Sequence, residues 1–258
     1  MRILVLIKVV PDTYGERTLS LETGLADRTP EEAVVDEIDE RALEVALAYA
    51  DAHPGTEVVA LAMAPALAQS SLRKALAMGA THAVQVVDEA LVGADIMLTA
   101  EVLAAAARRA GFDVVLAGNA STDGVGGAVP AAMAELLAVP CATFLAEATL
   151  EEGRVAGVRA SDGAAVRIEA PLPAVVSITE ALPDARLPNF KGIMAAKKKE
   201  IETLTLADLG VDAEDPEAAR SIMIAARERP PRAAGVKIVD AGDAGARLAD
   251  FLVENRLA

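Results

Sequence analysis

The residues best suited to chemistry lie in one stretch, Gly118-Asn119-Ala120-Ser121-Thr122-Asp123-Gly124-Val125-Gly126-Gly127-Ala128-Val129, between an apolar run and a helical pattern. Its glycines permit positive φ and close approach of backbone to a ligand, and Ser121 and Thr122 offer hydroxyls. The helix that follows would aim its free N–H groups at the same point, which suits a phosphate even without a lysine in the loop. The string is not a Walker A loop, having no Gly-Lys-Ser/Thr, and it does not match the GxGxxG fingerprint of a first βα turn. A plainer reading also fits its composition: a flexible helix N-terminus capped by Thr122 or Asp123. Placement favours a nucleotide or phosphate, because Gly118 closes the run FDVVLA and ligands of open parallel sheets bind beyond the carboxyl ends of strands.

Other reactive groups are scarce. His53 ends a helical pattern and His82 opens a strand-like run, so both read as surface or capping residues rather than members of a triad or zinc site. The single cysteine, Cys141, allows no intrachain disulfide or cysteine metal cluster and fits a reducing cytoplasm. No residue set points to a catalytic acid, base or nucleophile, so the expectation is a binding protein without catalytic residues and without a metal. A net charge of −15 argues against nucleic acid. No apolar stretch runs uncharged to the length a bilayer needs. Met1-Arg2 leads straight into ILVLIKVV, a strand rather than a signal segment.

To position the loop, the chain must build strands and helices in alternation, and its first part does. Residues 3–10 are a continuous β-branched-rich run of the buried, parallel type. A polar loop follows from Pro11 to Pro30. Residues 36–52 carry Ile38, Ala42, Leu43, Val45, Ala46 and Tyr49 at helical spacing, with Asp36 and Glu37 in the first turn, where the dipole favours anions. Strands are expected over 56–63, 82–87 and 112–117, and helices over 66–78, 95–110 and 129–137. This order specifies a doubly wound, mostly parallel α/β sheet of Rossmann-like type with right-handed crossovers. The ends of the first two strands, near Leu6 and Met63, should open onto the same crevice and supply apolar groups for an adenine ring.

After Cys141 the pattern changes. Strand-like pieces at 142–148, 154–159, 165–169 and 174–179 follow one another, with turn signals at Gly153 and Asp162-Gly163, and predict added antiparallel strands or a small flanking sheet. Residues 182–239 have weak periodicity and read as an arm lying on the domain or on another subunit, before a short amphipathic helix at 243–255. The expected division is a nucleotide-binding domain over 1–181 and a C-terminal arm over 182–258.

At this point the chain resembles the beta (small) subunit of electron transfer flavoproteins, nearly from end to end. The resemblance runs through ILVLIKVVPD, DERALEVAL, RKALAMGATHAV, FDVVLAGNASTDG and LPAVVS. It is most specific in NFKGIMAAKKKEIETLTLADLGVD at 189–212 and in the later AGVKIVD. It implies a heterodimer with a larger alpha subunit that holds most of an FAD, fed by acyl-CoA-type dehydrogenases and discharging to a membrane quinone reductase. The small subunit would bury a structural AMP. In a flavin-bifurcating branch a second FAD takes that place, which the aromatic content of 2% disfavours. A stand-alone ATP- or AMP-binding module is the alternative from outside the family.

Carried over by motif, the AMP neighbourhood is Leu6, Asp36, Ile38, Asp39, Met63 and residues 118–129, with Asp36 and Asp39 equally readable as helix N-terminal anions. Ile38 matches a position that is aromatic in some relatives and touches the partner's flavin. The segment before the triple lysine matches a loop that grips the partner dehydrogenase through one apolar anchor. Counting back from Ile193-Met194 without a gap makes that anchor Phe190, whereas aligning Leu187-Pro188-Asn189 as a unit makes it Leu187 and needs an insertion. The gapless register is preferred. Lys197, Lys198 and Lys199 would steer an acidic partner or form a solvated charge run. The glycine loop departs from many relatives in having Val125, Gly126 and Gly127 where they carry acids and amides.

Overall fold

The near-continuous apolar runs become the middle of one nine-stranded sheet in the computed structural model, which describes residues 1–15, 17–28, 33–232, 235, 237 and 239–257. Pro30, and Ala234, Val236 and Ile238 of the AGVKIVD motif, lie outside the described residues. Among the described residues the elements begin β1 (Arg2–Leu6), β2 (Val9–Pro11), β3 (Ala33–Val35), α1 (Glu37–Ala52), β4 (Glu57–Met63), α2 (Gln69–Met78), β5 (His82–Val86), α3 (Ile96–Ala110), β6 (Val114–Gly118) and α4 (Val129–Leu137). They continue as β7 (Cys141–Glu151), β8 (Arg154–Ser161), β9 (Ala164–Pro171), β10 (Ala174–Ile178), α5 (Phe190–Ala196), β11 (Ile201–Leu204), α6 (Leu206–Leu209) and α7 (Ala244–Glu254). Two compact units result, Met1–Ala226 and Arg227–Ala258.

The sheet order is β11-β5-β4-β1-β6-β10-β7-β8-β9, parallel from β11 to β7 and antiparallel from β7 to β9. Alternate residues of β1 feed two separate cores. Ile3 and Val5 pack with α1 and α2, and Leu4 and Leu6 pack with α3 and α4. Helices on both faces explain why the central strands are apolar throughout.

Three expectations change. The run over 3–10 does not stay one strand. At Lys8 the backbone N–H donates to Asp39 Oδ2 at 2.8 Å, and the carbonyl accepts from the Asp36 N–H at 3.0 Å. The start of α1 thus takes the groups a ladder would need, and β2 turns aside to pair antiparallel with β3. The run over 174–179, read with the antiparallel group, is instead β10, parallel to both β6 and β7. All five of its residues are buried, as AVVSI demands with no polar face to offer water. Lastly, residues 182–226 belong to the first unit, where β11 adds a parallel edge to β5. In the second unit α7 has no buried residue. Among the described residues no helix is long and apolar enough to cross a membrane.

Candidate functional site

The chain visits β4 and β5 on one side of β1 and then returns to β6 on the other, so strand order reverses between β1 and β6. Their carboxyl ends carry Leu6 and Gly118, and ligands of such sheets bind at this reversal. α1 starts directly beneath. A Cβ on Gly118 would lie 2.9 Å from Asp39 Oδ1 and 3.0 Å from Ile38 Cγ2, so the strand end can rest on the helix only as glycine. Leu6 is buried and Met63 half-buried in the core under the crevice, where apolar groups were expected.

The two acids of α1 face the loop and are used by it. Asp36 caps the helix by accepting the Ile38 N–H at 3.0 Å, and its other oxygen accepts the Thr122 N–H at 2.7 Å and the Thr122 hydroxyl at 2.9 Å. Asp39 accepts the backbone N–H groups of Gly118 at 2.9 Å and Lys8 at 2.8 Å. Burial pushes the Asp39 carboxyl up to about 7, with the Asp36 charge adding and the two N–H donors opposing. These acids are helix N-terminal anions that also brace the loop.

The sequence assigned no chemistry to the end of the first strand, and there the structure differs. Lys8 reaches across to donate to Ser121 Oγ at 2.9 Å and Asp123 Oδ1 at 2.7 Å. Arg28 meets the other Asp123 oxygen at 2.6 Å, and Arg17 donates to the Thr122 carbonyl. Burial pushes the Asp123 carboxyl up, but Lys8 overrides it, helped by Ser121 and Arg28, and the group stays well below the usual carboxylate range. Two cations, Lys8 and Arg28, thus meet on this one carboxylate.

What stays open is backbone beyond Val125: the Gly124 N–H already donates to Asp123 Oδ1 at 2.6 Å and the Val125 N–H to the Ser121 carbonyl at 2.9 Å. Thr122 and Asp123 do not cap α4; its N-cap is Ala128, with no side-chain hydrogen bond. Asn119 Oδ1 is buried without a hydrogen-bond partner among the described residues. Gly124, Val125, Gly126 and Ala128 are exposed, and Ala120, Gly127 and Val129 are half-buried. Two neighbours that sequence reasoning missed flank the loop: Ile96 Cδ1 lies 3.0 Å from where a Cβ of Gly126 would be, and Phe144 Cζ 3.3 Å from that of Gly127. Phe144 has φ 59 at a register shift of β7, a conformation rare for a bulky residue. No local signal announces such a bulge. For Lys8 the signal was a lone cation closing an otherwise apolar strand.

A second region gathers the other expected residues. Asn189 caps α5 by accepting the Gly192 N–H at 2.8 Å. Phe190 is 80% exposed and Leu187 85%, and Ile193 and Met194 are also exposed, one helical turn from Phe190. Lys197 and Lys198 are exposed, but Lys199 turns inward and donates to the carbonyls of Leu76 at 3.1 Å and Ala80 at 2.5 Å at the end of α2. Its burial lowers its pKa.

Residues 23–209 match the model of the electron transfer flavoprotein domain. The chain is 44% identical to the electron transfer flavoprotein subunit beta of Mycobacterium tuberculosis over 262 residues, covering 99% of this chain and 98% of the relative. With the subunit of the same name from Mycobacterium leprae it shares 43% over 263 residues, again 99% and 98% of the two chains. It is 35% identical over 215 residues to the caffeyl-CoA reductase-Etf complex subunit CarD of Acetobacterium woodii, covering 83% of this chain and 82% of the relative.

Proposed function

This chain belongs to the electron transfer flavoprotein family as a beta subunit, and from that premise we propose that it pairs with an alpha subunit and holds an AMP in the crevice at Gly118. The AMP is structural. The FAD, carried chiefly by the alpha subunit, supplies the redox chemistry when bound. Electrons come from acyl-CoA-type dehydrogenases and go to a membrane quinone reductase. A relative named as a subunit of a caffeyl-CoA reductase-Etf complex supports a partner that acts on a CoA thioester.

One observation carries the nucleotide reading: the polar side chains of residues 121–123 are already hydrogen-bonded, while the glycines at 126 and 127 lead into a helix start with no side-chain cap. Such a loop binds an anion without reacting with it. Phosphate would take the N–H groups of residues 126–129, its charge offset by Lys8 and Arg28. The unpartnered Asn119 Oδ1 suits an adenine amine or a ribose hydroxyl, and Met63, Ile96 and Val125 suit the faces of the base. Asp39, its carboxyl pushed up to about 7 by burial, lies beneath Gly118 and is bonded to two backbone amides, so it is held out of reach of a ligand's protons.

Leu187, Phe190, Ile193 and Met194 form the docking face for the dehydrogenase, with Phe190 as its anchor. Lys197 and Lys198 lie beside it, so they steer an acidic partner, and Lys199 holds the segment to α2. Ile38, buried on Gly118, limits any contact with the partner's flavin to packing.

Co-expression with the alpha subunit, denaturation of the purified heterodimer and mass spectrometry of the released small molecules test the crevice. About one FAD and about one AMP per heterodimer are expected by family analogy. Two flavins with no AMP would replace this reading with the bifurcating type.

A further inference from the structure

The docking face is fastened to the fold at both ends by charged groups. Upstream, Arg186 holds Glu44 of α1 with a planar fork, Nε to Oε2 and Nη2 to Oε1, each at 2.8 Å. Its backbone N–H donates to the same Oε2 at 3.0 Å, and its Nη2 lies 2.9 Å from Asp51 Oδ2. Arg41, also on α1, meets Asp184 at 2.5 Å and donates to the Leu182 carbonyl. Downstream, Arg73 of α2 donates to the carbonyls of Ala196 at 2.7 Å and Lys199 at 2.5 Å. Between the clamps α5 lies so close to α2 that a Cβ on Gly192 would sit 2.2 Å from the Ala77 carbonyl oxygen.

Leu187 follows Arg186 directly, and Phe190 comes three residues later. Four large apolar side chains standing in water would normally accompany a loop that orders only on binding, at a cost of about 0.5–1.5 kcal/mol per side chain. Here the backbone beneath them is already held. We propose that the Arg186–Glu44–Asp51 clamp is a positioning device that presets the docking face for an apolar pocket with an acidic rim, and so sets partner affinity without touching the partner. The rim follows from Lys191, Lys197 and Lys198, exposed around the face. Bidentate geometry matters more than charge, because a lysine cannot reproduce the fork.

The inference rests on reading this face as the dehydrogenase-docking surface, and the test separates the two. The holo heterodimer is titrated as electron acceptor against an acyl-CoA dehydrogenase reduced by its acyl-CoA substrate, and hydrogen exchange over 187–196 is followed without partner. Arg186→Ala should speed exchange there and raise the apparent KM about tenfold with kcat unchanged. Arg186→Lys should fall closer to Arg186→Ala than to the wild type, and Glu44→Gln should behave like a weakened clamp in a chain that keeps its stability. Unchanged local exchange, or an unchanged KM in both Arg186→Ala and Glu44→Gln while Phe190→Ala raises it, overturns the clamp and leaves the docking face standing. A KM unmoved by Phe190→Ala removes the docking face itself.

Discussion

The glycine loop and the α5 segment spend opposite parts of their residues on the fold. In the loop, side chains are consumed: Thr122 by Asp36, Ser121 and Asp123 by Lys8. The backbone from Gly126 onward is left to face a ligand. In α5, backbone and small residues are consumed, with Gly192 against Ala77 and the carbonyls of Ala196 and Lys199 on Arg73. Large apolar side chains are left to face outward. A rigid anion wants a cradle of N–H groups, which sequence-independent backbone supplies. A protein partner wants buried apolar area, which only side chains supply. The same contrast separates residues whose loss should unfold the site from those whose loss should leave the fold untouched.

The largest effect expected is at the loop. Gly118→Ala forces a Cβ against Asp39 and Ile38 and should cost about 3 kcal/mol of stability, at the upper end for overpacking. Urea unfolding measures it, and a variant as stable as the wild type would contradict the close packing of β6 on α1. Phe190→Ala is its mirror image. It should weaken dehydrogenase docking by about 2 kcal/mol while changing stability by less than about 0.5 kcal/mol. Titration calorimetry beside thermal melting separates the two, and a destabilised variant would mean that Phe190 packs on its own subunit.

The buried acid gives a pH-dependent test of the loop. The carboxyl of Asp39 titrates near 7 in the fold against an ordinary value of 3.8, so its folded form is the better proton binder. Its contribution to stability is therefore full below about 3.8 and is lost as pH rises towards 7, by at most about 1.4 kcal/mol per pH unit. Asn does not titrate. Asp39→Asn should remove this part of the slope between pH 5 and 7.5 in denaturant titrations, and an identical slope would argue that the acid is ionised throughout. Smallest is the effect of the exposed lysines. Lys197→Ala with Lys198→Ala should slow association a few-fold at low salt and leave no difference at high salt. A salt-independent loss would speak for direct contact instead of steering.

Much of the parallel sheet was legible because a strand covered on both faces is apolar nearly throughout, as in VVLA at 114–117. The same rule, applied more strictly, would have drawn AVVSI at β10 into the parallel sheet; its place in the chain, after three half-exposed strands, hid it. The four-residue β11 was not legible, since IETL has no period of its own and gains its strand geometry from the β5 edge. In the candidate site, Gly118 and its neighbours could be read from one stretch. Lys8 could not be joined to them, because a separation of 113 positions from Ser121 carries no record of distance in space. The outward face of α5 was readable in part: Phe190, Ile193 and Met194 share helical spacing, but spacing does not say which face is buried. Here the inner face is Gly192 and Ala196, and the large residues stand outside.

By itself the sequence determined the α/β class, the glycine loop at a strand's end and the family, because each is written in local runs of residue type. Tertiary structure alone decided what the polar groups do. Asp36, Asp39 and Lys8 became braces, Lys199 became a tie to α2, and Arg186 became one jaw of a clamp. A charged side chain in sequence has only a sign and a reach. Its role depends on which unpaired donor or acceptor the fold carries to within 3 Å of it, and that is a property of the packed chain.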